Sequence, residues 1–144
     1  MVMKILQILS RLYVADLNPA LEFYEELLET PVAMRFEIPQ TGVELAQIST
    51  ILLIAGSEEA LKPFRNTQAT FLVDSLDKFK TFLEENGAEI IRGPSKVPTG
   101  RNMTVRHSDG SVIEYVEHSK IEAENLYFQS HHHHHHWSHP QFEK

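Results

Sequence analysis

The first stretch of alternating apolar and polar residues predicts a β-strand followed directly by a helix. Residues 4–15, KILQILSRLYVA, place Leu9, Arg11 and Tyr13 on one face and mostly aliphatic side chains on the other. Asp16–Asn18 and the following Pro19 predict a helix start, because an Asx side chain can cap free N–H groups and proline is tolerated at the first helical position. Apolar residues then recur at helical spacing and are expected in the core: Ala20, Leu21, Tyr24, Leu27 and Leu28.

The order of one strand, one helix and three strands occurs twice along the chain. Three short strand patterns complete the first unit, at residues 32–38, 43–48 and 50–56. The second unit has its strand patterns at residues 68–73, 88–92, 102–107 and 111–117. Its helix is expected to start at Asp74-Ser75 and to end at Asn86-Gly87, where glycine suits a left-handed cap. Such a repeat indicates two related structural units.

Each βαβββ unit alone would leave one face of its sheet uncovered. We therefore expect the two units to join, with the helices outside and the inner sheet faces lining a shared cup. The predicted fold class is α+β, with module one at 4–56 and module two at 67–118. A ferredoxin-like βαββαβ domain is the competing fold, and it would leave two strands unused.

Composition narrows the function classes. Residues 120–144 are vector-derived, because they contain the protease site ENLYFQS, six histidines and the affinity peptide WSHPQFEK. The remaining residues 1–119, expected to form a single domain, carry 11 Lys/Arg and 17 Asp/Glu, a net charge of −6. No basic block of the kind that binds nucleic acid is present. The chain has no cysteine, which excludes disulfides, thiolate metal sites and a cysteine nucleophile.

Residues 1–119 also indicate where the protein is located and which histidines could transfer protons. No signal-peptide pattern precedes Lys4, and no apolar stretch approaches the ~20 residues that cross a bilayer, so we expect a cytoplasmic protein without membrane partners. Seven of the nine histidines belong to the tag. The two others are His107, expected to point away from the cup, and His118, at the frayed end of the native chain.

Two segments carry a family resemblance. LSRLYVADLNPALEFYEELL (9–28) and VRHSDGSVIEYVE (105–117) resemble the first strand and helix and the closing hairpin of the vicinal oxygen chelate superfamily. This superfamily includes glyoxalase I, bleomycin-resistance proteins, fosfomycin-resistance enzymes and extradiol dioxygenases. The resemblance covers 4–118 and implies the glyoxalase/bleomycin-resistance fold, a small-molecule ligand in the cup and a homodimer. It does not imply one activity, because members share the cup and differ in chemistry.

The resemblance also implies where a metal site would lie. In metal-dependent members, each half supplies a His or Gln from its first strand and a Glu from its last strand. Gln68 and Glu114 match these positions in module two. The corresponding positions in module one are Leu9 and Leu52 or Leu53, which cannot bind a metal ion. Two ligands are too few for a divalent ion, so we predict no cofactor and keep a divalent metal as the weaker alternative.

Glu114 lies in an apolar strand and needs a partner, because an unpaired buried carboxylate is costly. Arg11, on the cup face of the first strand, is the expected partner, and Arg106 is the alternative. The loop 93–101, with two glycines and two prolines, is expected to cover the cup as a lid. The predicted ligand-binding residues are Arg11, Tyr13, Gln68, Thr70, Asn102, Arg106 and Glu114.

The leading functional hypothesis is a metal-independent small-molecule binding protein of the glyoxalase/bleomycin-resistance type. The alternative is a lyase, isomerase, transferase or dioxygenase-related enzyme. In that alternative Glu114 is the catalytic base or part of an incomplete metal site with Gln68.

Overall fold

The computed structural model describes residues 2–119, and the predicted tag at 120–144 lies outside the described residues. Module one contains β1 (Ile5–Val14), α1 (Leu17–Leu28), β2 (Met34–Ile38), β3 (Val43–Ile48) and β4 (Ile51–Ala55). A short helix α2 (Glu58–Leu61) and a 3-10 turn (Lys62–Phe64) connect the modules. Module two contains β5 (Ala69–Val73), α3 (Leu76–Glu85), β6 (Glu89–Val97), β7 (Gly100–Arg106) and β8 (Val112–His118). The predicted α+β fold of two βαβββ units is confirmed.

The eight strands form one curled sheet in the order β2-β3-β4-β1-β5-β8-β7-β6. Within each module the first and last strands are parallel neighbours, β1 with β4 and β5 with β8. The modules join through the antiparallel pair β1 and β5, in which Leu9 lies opposite Thr70. This joint brings the inward faces of both modules to the same concave side, which is the cup.

The helices cover the convex side of the sheet. α1 packs on β3 and β4, and α3 packs on β6, β7 and β8. Each helix starts at a capping side chain, since Asp16 accepts a hydrogen bond from the Asn18 amide and Ser75 accepts one from the Lys78 amide. No helix in the described residues is long and apolar enough to span a bilayer.

Two large apolar residues of the helices do not enter the core, and one of them, Leu27, belongs to the predicted stripe of the first helix. Leu27 of α1 is 60% exposed and Phe82 of α3 is 42% exposed. Leu21, Phe79 and Leu83 are buried. Ala20, Tyr24 and Leu28 are partly buried and pack against the core.

The prediction that residues 93–101 form a loop is wrong, because most of them belong to strands β6 and β7. β6 continues to Val97 and β7 begins at Gly100, so only two residues, Pro98 and Thr99, connect the strands. A shifted register between Arg92 and Ser95 shows that the Gly93-Pro94 segment is accommodated as a bulge inside a strand pair. Of the predicted lid, Val97, Pro98 and Thr99 line the cavity.

Candidate functional site

The cup contains a cavity of about 130 Å³. Apolar side chains from module one line one wall: Leu9, Met34, Phe36, Ile38, Leu45 and Leu52. Most of the polar lining comes from module two: Thr70, Arg92, Asn102, Thr104, Glu114 and His118. The two walls differ because β2, β3 and β4 direct mainly apolar side chains into the cup, whereas β5, β7 and β8 direct mostly polar ones there, together with Leu72 and Val116. The cavity thus has an apolar side and a polar side.

Arg11 anchors the floor of the cavity, and its side chain is only 5% exposed. Its Nη2 donates to Glu114 Oε1 at 3.0 Å, and its Nε donates to Thr70 Oγ1 at 3.1 Å. Its Nη1 donates to the Tyr13 hydroxyl and to the Phe64 carbonyl at 3.0 and 2.9 Å. Because all three nitrogens already have protein acceptors, the main role of Arg11 is to hold Glu114 and its neighbours.

The Glu114 carboxylate accepts three hydrogen bonds from the polar wall and its surroundings. Its Oε1 accepts from Arg11 and from the Thr70 hydroxyl, and its Oε2 accepts from Asn102 Nδ2 at 2.7 Å. The ion pair with Arg11 predicted from the sequence is therefore present. A carboxylate held by three donors keeps a fixed orientation, and the side chain still lines the cavity with 18% of its surface exposed.

His118 is a site residue that the sequence interpretation left at the chain end. It follows Glu114 by four residues on β8, so it lies on the same face of the strand and lines the same cavity. Burial lowers the pKa of His118, and the negative charge of Glu114 opposes this effect. The strand period alone could have indicated this position, because 114, 116 and 118 share one face.

Arg92 is the second residue that the sequence did not identify. Ile90 packs outward toward α3, so strict alternation would also turn Arg92 outward. A register shift occurs between these residues, since Ile90 pairs with Val105 while Arg92 pairs with Thr104. The extra residue reverses the face, and Arg92 lines the cavity with its Nη2 donating to Thr104 Oγ1 at 3.1 Å.

Three predicted site residues do not line the cavity: Arg106, Gln68 and Tyr13. The Arg106 side chain lies in solvent and its Nη1 binds Glu89 Oε1 at 2.8 Å, because it is at the end of β7 beyond the cup. Gln68 precedes β5, and its Oε1 accepts from the Val112 amide at 2.6 Å. The predicted positions of the Arg106 and Gln68 side chains inside the cup are corrected.

Tyr13 does not line the cavity, so its predicted position in the cup is corrected as well. Its hydroxyl donates to the Phe64 carbonyl at 2.6 Å, and the Arg65 guanidinium lies 4.9 Å from the centre of its ring. His107 points away from the cup as predicted, with its Nε2 2.7 Å from the Tyr115 hydroxyl. Burial raises the pKa of Tyr115 to about 12. This pair belongs to the packing under α3.

Sequence comparison assigns the family. A profile of the Glyoxalase/Bleomycin resistance protein/Dioxygenase superfamily matches residues 4–115, which span most of both modules. The chain belongs to this superfamily. The resemblance stated from the two terminal segments is therefore confirmed. No curated protein matches the chain in sequence.

Solved structures of similar fold agree with superfamily membership. Methylmalonyl-CoA epimerase from Mycobacterium tuberculosis has a TM-score of 0.66 at 20% identity, covering 83% of this chain and 93% of its own. A hypothetical protein, BH1468, from Bacillus halodurans C-125 has a TM-score of 0.62 at 21% identity, covering 82% and 96%. A variant of the Streptomyces coelicolor methylmalonyl-CoA epimerase, in complex with 2-nitronate-propionyl-CoA, has a TM-score of 0.62 at 17% identity, covering 82% and 98%. Likeness at these identities establishes the fold alone.

The residues of this chain do not fit the metal site that occurs in this superfamily. Of the four expected positions, Leu9 and Leu52 are buried apolar residues and Gln68 bonds a backbone amide outside the cavity. Glu114 remains, and its oxygens already accept three hydrogen bonds. Within residues 2–119, no group of three or more His, Cys, Asp or Glu side chains is placed to hold a metal ion.

Proposed function

We propose that the chain is a metal-independent small-molecule binding protein that holds its ligand in the cavity of the cup. The observation that carries this proposal is the replacement of two superfamily metal-binding positions by Leu9 and Leu52, beside a preformed cavity. A cavity with an apolar wall and a few oriented polar groups is typical of small-molecule sites.

The fixed polar groups support binding by sequestration. Arg11, Thr70 and Asn102 hold the Glu114 carboxylate before any ligand enters. Binding to a rigid site avoids the entropy cost of ordering its side chains. Thr70, Asn102 and Glu114 remain the proposed ligand-binding residues, Arg11 and Tyr13 support them from behind, and Arg92 and His118 are added to the site.

An enzyme is the second candidate, and one observation favours it. Glu114 and His118 are two titratable side chains in the same cavity, which general acid–base chemistry requires. Several proteins of similar fold are methylmalonyl-CoA epimerases, so an isomerase that uses Glu114 as a base is the form this candidate takes. A substrate that incorporates deuterium from D₂O in the presence of wild-type protein, and not of Glu114→Gln, would favour it.

The chain is also proposed to form a homodimer, in the cytoplasm. The support is a strip on the convex side of β1 that lies between α1 and α3, where Leu6 and Ile8 are 59% and 52% exposed. Ile5 of the same strand is 41% exposed, and a contiguous exposed apolar patch is a common feature of contact surfaces.

Metal content and thermal stability of the tag-free protein test the proposed function. Cleavage between Gln129 and Ser130 removes the six histidines, which would bind nickel by themselves. We expect no bound metal and no change in melting temperature with Mn²⁺, Zn²⁺, Ni²⁺ or Fe²⁺. Stoichiometric metal, or a metal-dependent rise in melting temperature that Glu114→Ala abolishes, would contradict metal independence.

Occlusion of the cavity tests the location of the ligand. Leu72 lines the cavity, whereas Leu27 of α1 is exposed to solvent outside it. A ligand that stabilises wild type in a thermal screen should no longer bind Leu72→Phe and should bind Leu27→Phe unchanged. Equal binding to both variants would place the ligand elsewhere.

A further inference from the structure

Arg92 is a solvent-exposed cation that lines the cavity and has no acidic partner in residues 2–119. Four other arginines form ion pairs with carboxylates: Arg11, Arg35, Arg101 and Arg106. Arg65 lies over the Tyr13 ring. The described hydrogen bond of the Arg92 side chain goes to the neutral hydroxyl of Thr104. The guanidinium therefore keeps donors that a ligand can bind.

Strand register aligns Arg92 with the polar wall. Arg92 is opposite Thr104 on β7, and Thr104 is opposite Glu114 on β8. Two strand spacings separate the Cα atoms of Arg92 and Glu114, about 10 Å. Thr104 accepts a hydrogen bond from Arg92 Nη2, and the planar guanidinium has further N–H groups that can donate to a ligand.

The charges in the cavity leave an excess of one positive charge. Arg11 and Glu114 form an ion pair and neutralise each other. Burial lowers the pKa of His118, which favours its uncharged form at neutral pH. Arg92 remains as the uncompensated charge, so the site favours a ligand with one negative charge. A second negative charge would meet the Glu114 carboxylate.

The size of the cavity limits the rest of the ligand. An engineered apolar cavity of about 150 Å³ in another protein binds benzene, and the cavity here measures about 130 Å³. Met34, Phe36 and Leu45 belong to the apolar wall of the cavity. A compact apolar body of about the size of one aromatic ring fits this space.

We infer that the ligand is a small monocarboxylate with a compact apolar body. This inference rests on the proposed function, and it follows from the charge of Arg92, its planar guanidinium and the size of the cavity. Arg92 binds the ligand carboxylate through two parallel N–H···O bonds, which match the planar geometry of a carboxylate. The apolar body lies against the module one wall.

Paired probes of equal shape and different charge test this inference. Benzoate and phenylacetate are compared with benzamide and phenylacetamide by calorimetric titration of the tag-free protein. We expect the wild type to bind each carboxylate more tightly than its amide. Arg92→Gln should weaken carboxylate binding about tenfold, the loss of one charge-assisted contact, and leave amide binding unchanged. Arg92→Lys should give an intermediate loss, because it keeps the charge without the fork.

Arg106→Gln is the matched control, because it removes the same charge from the neighbouring strand outside the cavity. It should leave carboxylate binding unchanged, and circular dichroism checks that each variant is folded. If the amides bind as tightly as the carboxylates, or if both arginine variants behave alike, the inference is overturned while binding in the cavity stands. If neither the carboxylates nor the amides bind at millimolar concentration, the inference is overturned. The proposed function then also loses the support that ligand binding would have given it.

Discussion

Arg11 Nη2 lies 3.0 Å from Glu114 Oε1, and this ion pair links the first strand of module one to the last strand of module two. The residues are 103 positions apart in sequence. The β1–β5 and β5–β8 pairings bring them together. The contact therefore depends on correct joining of the two modules, and it reports on that joining.

Arg11→Met should destabilise the protein by about 3 kcal/mol, because it leaves the Glu114 carboxylate without its cation in a largely dry site. Urea denaturation of the tag-free protein measures the change. Arg35→Met, which breaks an ion pair with more exposed side chains, is the matched control and should cost less than about 1 kcal/mol. Adding Glu114→Leu to Arg11→Met should recover about half of the loss. A single variant as stable as the control would mean that the pair contributes little.

The stability of the protein should fall as the pH decreases through the usual His118 pKa of 6.5. Burial holds the folded-state pKa below that value, so the unfolded chain takes up a proton before the folded one. The loss accumulates from pH 6.5 down to the folded-state pKa. His118→Gln should lose less stability than wild type between pH 7 and pH 5. Tag-free protein is required because the tag histidines titrate in this range, and parallel pH curves for the two proteins would contradict the prediction.

Gly93→Ala should destabilise the β6–β7 wall. Gly93 has a φ of +89°, and a Cβ atom there would lie 2.6 Å from the Asn102 carbonyl oxygen. The unfavourable φ costs about 1–3 kcal/mol by itself, and the close contact adds to it. Gly110→Ala is the control, with a φ of +95° and open space around a new Cβ. Gly93→Ala should therefore lose more stability in urea than Gly110→Ala, and equal losses would rule out the steric contribution.

Sedimentation equilibrium of the tag-free protein should give the mass of a dimer. Combining Leu6→Lys with Ile8→Lys should shift the protein to monomer, because charges on this strip cannot be desolvated in an interface. Phe82→Lys changes an exposed apolar residue of α3 and should leave the dimer intact. At about 100 µM protein, a dimer with a Kd of about 10 µM is mostly associated. A wild-type monomer at this concentration would make the homodimer prediction wrong.

The sequence predicted two central site residues that lie within regularly paired strands. Alternation along β1 placed Arg11 in the cup, and alternation along β8 placed Glu114 there, because the period of two holds while the strand pairing is regular. Their ion pair followed from the cost of a buried charge. The repeated order of elements likewise predicted the two modules and their joint.

The incorrect placements lie at strand ends and at a bulge. Arg106 and Gln68 have the right alternation, but they lie where β7 ends and before β5 begins, outside the part of the sheet that curves around the cavity. Arg92 is turned inward by one extra residue in β6. A bulge arises from pairing between strands, so a pattern read along one strand cannot locate it.

The division of the cavity between two modules has a consequence for how its specificity can change. The apolar wall is encoded mainly before residue 56 and most of the polar row after residue 67. Substitutions in the first segment can alter the shape accepted for a ligand body while Arg92 and Glu114 stay in place. Substitutions in the second can alter the accepted head group while the body is still held. Selection or engineering can therefore change the two halves of ligand recognition one at a time.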